Sequence, residues 1–421
     1  MTDILSRFRQ AVDAKLQQIW DAPPPFPLRA STALANDFVA PAIALSTGGK
    51  RTRALFALAG FQAGCGASPA VLDTLPTAEL PVSLGAALEL YQLSALIHDD
   101  VIDGAATRRG IATAHVAYAT WHGEHHLLGS KRDFGEKMAL LLGDYVLSLA
   151  AYTLERSLAA NTHLTPDGTH HVRALFHSMC AEVAFGQYTD ALSEFQPLED
   201  SSAAATNQAF TVLYHKAARY SVLVPTLLGA EFAMALRSHR PGTSPTSTDA
   251  TLASPDGIPT PPLSAAPTPY RTTPPPLTDT FTTCPPQSDA SIVAELERIC
   301  RPLGEAFQLR DDVLGIFGDP QITGKPAGDD LSEGKRTVLL ALTRAAAQPR
   351  ERAIIDSLIG RPLSEKDLAT ARSIIQNSGA YEQHEAMIAE RETAVAARMQ
   401  ASGLELSVLA QLAGNLAQRT Y

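Results

Sequence analysis

Cysteine is scarce in this 421-residue chain, and the four present, Cys65, Cys180, Cys284 and Cys300, are widely spaced with no CxxC pair. That pattern gives neither a zinc knuckle nor a disulfide framework, and it suits a reducing cytoplasm. Positive charge is also in deficit: 34 Lys and Arg against 44 Asp and Glu leave a formal charge of -10, so no basic footprint for nucleic acid is present. An anionic ligand must therefore meet locally gathered cations or metal ions. Uninterrupted apolar runs are missing as well. Asp144 and Glu155 break one and Pro225 and Glu231 another, so no membrane span is expected. The N-terminal stretch carries Arg7, Arg9 and Asp13 in an amphipathic pattern and lacks the apolar core of a signal peptide.

What remains is a chain that is 45% hydrophobic and can bury a large core. From Ser6 to about Arg237, long Ala/Leu-rich segments alternate with short polar or Gly/Pro breaks, and β-branched alternating runs are few. This predicts an all-α fold. Between His239 and Ala290 the composition shifts to Pro, Thr, Ser and Ala, including Pro261-Pro262 and Pro274-Pro275-Pro276. Such a stretch lacks the apolar side chains needed to offset the entropy of ordering, so it reads as a disordered insertion, with a Pro-rich docking site as the sharper alternative. Helical pattern resumes at Ser291. Because related chemistry lies on both sides, residues 1–421 read as one domain with the insertion 239–290 inside it.

Two acidic clusters carry that chemistry. The segment LELYQLSALIHDDVIDGAATRRG, Leu88 to Gly110, is an apolar helix ending in Asp99, Asp100 and Asp103. Residues four apart share a helical face, so Asp99 and Asp103 project together near the negative end of the helix dipole. A solvated acidic helix end would also fit this motif alone. A bound cation is the natural compensation, and Mg²⁺ prefers one or two carboxylates with positions left for phosphate oxygens and water. The second cluster, AFQLRDDVLG from Ala306, carries Asp311 and Asp312 on another apolar helix. Two such helices face to face would make a carboxylate-lined mouth for several Mg²⁺ ions and a diphosphate. Cations flank both clusters: Lys50, Arg51 and Arg53 after Gly48-Gly49, then Arg108-Arg109, then Lys325, Lys335 and Arg336 in a Gly-punctuated loop.

In order, GGKRTR, LIHDDVIDGAATRRG, GQYTD, HKAARYS, FQLRDDVLGIFGD and TGKPAGDDLSEGKRT resemble the trans-isoprenyl diphosphate synthases, in particular those making geranylgeranyl diphosphate. The resemblance implies an isoprenoid synthase-type helical bundle around a central cavity, a homodimer, and three Mg²⁺ ions per site. It implies that Asp99, Asp103 and Asp311 bind Mg²⁺, with Asp312 beside them and Asp100 in support. Arg108, Lys216, Lys325 and Lys335 would contact the allylic diphosphate. Lys50, Arg53, Arg109 and Gln92 would contact isopentenyl diphosphate, and Gln187 and Gln308 would line the reaction centre. Three positions depart from the pattern: Gly315 in place of a final aspartate, Ala217 in place of threonine after Lys216, and Ala54 in place of proline after Arg53.

The implied reaction is Mg²⁺-dependent head-to-tail condensation giving a linear all-trans prenyl diphosphate. Product length should follow the depth of a hydrocarbon channel below Asp99. Ser94 and Ala95, about one turn below, are small, and Tyr91, one turn further, could form the floor or be a core aromatic. This favours a C20 product, with farnesyl or C25 and longer as alternatives. A non-catalytic subunit that retains the fold but loses ligands is a further alternative, and the intact clusters oppose it.

Overall fold

The computed structural model describes residues 2–22, 32–66, 78–161, 164–237, 289–319 and 327–418. The proposed insertion lies outside these residues as far as 288, and its last two positions, Asp289 and Ala290, instead open a helix. Helices dominate: α1 Thr2–Asp21, α2 Thr32–Ser46, α3 Thr52–Cys65, α4 Glu79–Ile102, α5 Ala114–Glu124, α6 Lys131–Ala160, α7 Pro166–Phe195 and α8 Ser202–Val212. A π-helical segment, Leu213–Leu223, joins α8 to α9 Val224–Arg237. Then come α10 Asp289–Phe317, α11 Asp329–Glu333, α12 Val338–Ala346, α13 Pro349–Leu358, α14 Glu365–Asn377, α15 Ala380–Ala401 and α16 Ser407–Ala417. Among the described residues the only strands are a two-residue antiparallel pair, β1 Thr107–Arg108 and β2 Ile111–Ala112. The fold is all-α.

Local sequence explains the helix starts. Ser130, Thr165, Ser201 and Thr337 each accept a hydrogen bond from a backbone N–H of the first turn, and Pro166 follows its cap where a missing N–H costs nothing. Ser364 and Asp367 form a reciprocal capping box. Helix α4 is the centre of the bundle. It packs on α1, α3 and α6, and Leu84, Leu88, Leu90 and Ile97 are fully buried. By length and hydropathy both α4 and α6 could cross a bilayer, which the broken runs of the sequence did not suggest, but α4 is a core helix. One apolar cluster takes buried side chains from Leu5 on α1 to Leu412 on α16, and so draws on both sides of 238–288.

Helices α3 and α9 approach closely enough for their backbones to touch. A Cβ at Gly60 would lie 1.7 Å from the Thr226 carbonyl oxygen, and one at Gly229 would lie 1.9 Å from the Ala57 carbonyl oxygen. No rotamer relieves a clash between a Cβ and backbone, so the helices must separate. Gly229→Ala is therefore expected to cost about 3 kcal/mol in urea unfolding. Gly414→Ala on the exposed face of α16, where a Cβ meets nothing within 4 Å, should be neutral or stabilising by about 0.5–1 kcal/mol.

Candidate active site

A cavity of about 1600 Å³ opens between α3, α4, the π segment, α10 and the stretch 327–338. Asp99 on α4 and Asp311 and Asp312 on α10 share its wall, joined by Lys50, Arg53, Gln92, Arg108, Arg109, Lys216, Gln308 and Lys335. The two acidic helix segments thus face one space with the cations around them.

Three cations hold the first cluster. Arg108 donates to Asp100 through Nε at 2.9 Å and Nη2 at 2.6 Å, and its Nη2 lies 3.4 Å from Asp99. Lys216 lies 3.3 Å from Asp99 and also bonds Asp190. Lys335 reaches Asp103 at 3.0 Å and Glu333 as well. Burial opposes the charge on all three cations, yet the surrounding carboxylates outweigh it and raise each pKa above its ordinary value. The acids carry the converse strain. Burial and then Asp99 raise the Asp103 pKa; burial and then Asp330 raise Asp312 well above the usual carboxylate range. Burial, helped by Asp190 and Asp103, pushes Glu194 up to about 7.

Lys216 reaches the carboxylates because of the helix that carries it. Each hydrogen-bonded turn of the π segment spans one residue more than in an α-helix, with the Val224 N–H donating to the Arg219 carbonyl, five residues back. Gly186 on α7 lets it lie close: a Cβ there would come within 2.6 Å of the Lys216 nitrogen. The same α7 turns carry Asp190 to the ammonium.

At the second cluster the missing aspartate is replaced in space. A Cβ at Gly315 would lie 2.0 Å from Asp330 Oδ2, so a carboxylate from α11 already occupies the room that a side chain at 315 would need. Gln308 donates to Asp312 Oδ1 at 3.1 Å. Asp330, Asp190 and Glu194 were not singled out from sequence. The signals were the Asp329-Asp330 pair in the Gly-punctuated loop and the aspartate closing GQYTD.

Further cations line the same cavity. Arg53 donates to Ser221 Oγ at 2.8 Å and lies 4.0 Å over the Tyr220 ring, and Tyr220 donates to the Gln92 carbonyl oxygen. Burial, and then Arg108, Arg51 and Arg53, lower the Arg109 pKa against the pull of Glu89. Crowded cations of this kind are stabilised by an anion among them. Ala54, which stands in place of proline, uses its N–H to bond Glu89 at 3.2 Å, a donor that proline would lack.

The channel residues are placed differently from expectation. The α4 positions on the cavity wall are 89, 90, 92, 93, 96 and 99, one face of the helix. Tyr91, Ser94 and Ala95 do not line it. Ser94 turns to α6 and donates to the Gly143 carbonyl at 2.8 Å, and Tyr91 donates to the Cys180 carbonyl at 3.3 Å and packs edge-on against Phe176 and Tyr220. Gln187 on α7 also lies off this wall, and Lys325 lies outside the described residues.

The donor set fits Mg²⁺. All its acids are hard oxygen ligands, and their mutual repulsion is a direct call for a divalent cation. Among the described residues no three acids converge tightly enough to chelate an ion alone. Mg²⁺ shared with a diphosphate needs no such cage, because it uses one or two carboxylates per ion.

A family model described as polyprenyl synthetase matches residues 39–241 and 283–375, most of the chain. The chain belongs to the polyprenyl synthetase family. This synthetase is a prenyltransferase, a trans-isoprenyl diphosphate synthase. It is 30% identical over 307 residues to a geranylgeranyl diphosphate synthase of Mycobacterium tuberculosis, covering 71% of this chain and 63% of that protein. It is 27% identical over 342 residues to a geranylfarnesyl diphosphate synthase of Aeropyrum pernix, covering 80% and 79%. Among solved structures, a geranylgeranyl pyrophosphate synthase of Corynebacterium glutamicum, complexed with isoprenyl diphosphate and magnesium, superposes with a TM-score of 0.71 at 30% identity, covering 100% of this chain and 98% of that one.

Two predictions follow from the geometry. Gly315→Asp, which completes the acidic motif on paper, should lower activity at least about tenfold, because the new side chain must displace Asp330; steady-state rates against the unsubstituted protein would show this. The raised carboxyls also set a pH dependence. They hold protons more tightly in the folded than in the unfolded state, so stability of metal-free protein should fall as pH rises from the ordinary Glu value of 4.5 towards about 7 for Glu194. Added Mg²⁺ should accordingly raise the thermal midpoint more at about pH 8 than at about pH 5.5, measured by differential scanning fluorimetry.

Proposed function

We propose that the synthetase condenses isopentenyl diphosphate with an allylic diphosphate to give all-trans geranylgeranyl diphosphate, working as a Mg²⁺-dependent homodimer with three ions per site. The reading rests on one arrangement: Asp99 and Asp311, from separate helices, share one cavity with Lys50, Arg53 and Arg109. Mg²⁺ held by Asp99, Asp103 and Asp311, with Asp312 and Asp330 beside them, would neutralise charge on the allylic diphosphate. The protein's own part is positional and electrostatic. Arg108, Lys216 and Lys335 face the charge that grows on the departing diphosphate as the allylic C–O bond breaks. Lys50, Arg53, Arg109 and Gln92 hold the second diphosphate so that its double bond attacks the allylic carbon. A new C–C bond forms, and the proton lost in restoring the double bond passes to the released diphosphate. Leu93, Leu96 and Phe307 on the wall keep water from the cation.

The C20 length is supported by the geranylgeranyl relatives, although one relative is named for geranylfarnesyl diphosphate. The dimer is supported by an apolar face on α6 and α7. Phe185 is 58% exposed, Tyr188 60% and Phe195 87%, with Leu140 and Leu141 on α6. Aromatic side chains that exposed suit a second copy of the chain.

Purified protein incubated with Mg²⁺, isopentenyl diphosphate and dimethylallyl, geranyl or farnesyl diphosphate should yield geranylgeraniol after dephosphorylation, read by chromatography. A C15 or C25 product would overturn the length, and no condensation at all would overturn the synthase reading. Phe185→Glu with Tyr188→Glu should convert a dimer to a monomer in sedimentation velocity.

A further inference from the structure

The turn that presents Lys50 and Arg53 is built on a residue with unfavourable backbone geometry. Arg51 sits at the start of α3 with φ 53° and ψ 38°, the left-handed region that a non-glycine residue adopts only when something holds it. Its guanidinium supplies the hold. Nε donates to Asp13 Oδ1 at 2.6 Å, Nη2 donates to the Ser46 carbonyl at 2.6 Å, and Nη1 lies 3.7 Å from Glu89. Four helices meet at this one side chain: α1 through Asp13, α2 through Ser46, α3 through Arg51 itself and α4 through Glu89. Arg51 is 8% exposed and Asp13 48%. The guanidinium also passes so close to Gly49 that a Cβ there would lie 2.9 Å from Nη1 and 3.6 Å from Arg109 Nη1.

We infer that Asp13, far from the cavity motifs in sequence, is a positioning residue for the isopentenyl diphosphate side of the site, acting through the Arg51 latch on Lys50, Arg53 and Arg109. This rests on the proposed placement of isopentenyl diphosphate. A purely structural role for Asp13 is a poor account, because α1 is already docked by the fully buried Phe8 and Val12 and by the Lys15–Glu79 ion pair. Removing one half-exposed carboxylate leaves those contacts intact. It does free the Arg51 fork to swing from the turn that its planar geometry clamps.

The test is a split in kinetic constants. Asp13→Asn should raise KM for isopentenyl diphosphate about tenfold, the equivalent of one charge-assisted bond, while kcat and KM for the allylic diphosphate stay within about twofold and the thermal midpoint is nearly unchanged. Asp13→Glu should recover most of the loss, and Arg51→Lys, which cannot fork, should reproduce it. An unchanged KM in Asp13→Asn, or an equal rise for both substrates with a lowered thermal midpoint, would overturn the inference. Lys50→Ala serves as the separate check: if it leaves KM for isopentenyl diphosphate unchanged, the placement of that substrate is wrong, whatever Asp13 does.

Discussion

Like charges crowded at one end of an apolar cavity are the constraint around which the molecule is arranged. Two carboxylates ~4 Å apart repel by about 4 kcal/mol at an effective dielectric of ~20, and a folded domain has only about 5–15 kcal/mol in total. A handful of such pairs would consume that margin. The protein therefore sets a cation against each aspartate of the first cluster: Arg108 for Asp100 and Asp99, Lys216 for Asp99, Lys335 for Asp103. These cations are also the ones positioned to meet a diphosphate. The groups that stabilise the resting site are thus the groups positioned to stabilise charge during reaction, while burial and then the neighbouring acids still raise the Asp103 and Asp312 carboxyls.

The placing of those cations depends on helix contacts tighter than side chains allow. Gly186 lets the π segment lie on α7, which puts Lys216 within reach of both Asp99 and Asp190. Gly60 and Gly229 do the same between α3 and α9, fixing the helix that carries Arg53. An α-helical continuation from α8 through α9 would rotate Lys216 by about 100° for each residue removed from the wider turn. Backbone geometry, and not side-chain length, selects which charges face the cavity.

Much of this was legible in the sequence, and the failures share a cause. The all-α fold came from Ala/Leu-rich periodicity, and the motif residues Asp99, Asp311, Lys216, Lys50, Arg53 and Arg109 do come to one cavity, because ordered motifs mark positions even when the helices between them are unknown. What could not be read was anything that needed rotation about a helix axis or proximity across the chain. Ser94 and Ala95 were counted from Asp99 by turns alone, whereas Ser94 points at Gly143 on the neighbouring helix. Gly315 looked like a lost ligand because nothing in the linear order shows Asp330 folding back onto it. The π segment gave no signal at all, since HKAARYS suits an α-helix equally well.

That return of Asp330 has a consequence for how the site is assembled. Helix α11 is five residues long, and Gly328 and Gly334 at its ends take left-handed conformations with φ 85° and 88°. Between and just beyond these two turns, Asp330 reaches over Gly315 in the second cluster and Lys335 reaches Asp103 in the first. Glu333 joins Lys335 from within the helix, and the Lys335 N–H bonds the Asp330 carbonyl at 2.9 Å. One short element therefore touches both acidic clusters, adding an acid to one and a base to the other. Because the contacts are electrostatic and of opposite sign, moving α11 outward would deprive the first cluster of its cation and the second of a carboxylate in one displacement. The two clusters, distant in sequence and borne on separate helices, are thereby coupled through the position of a single loop.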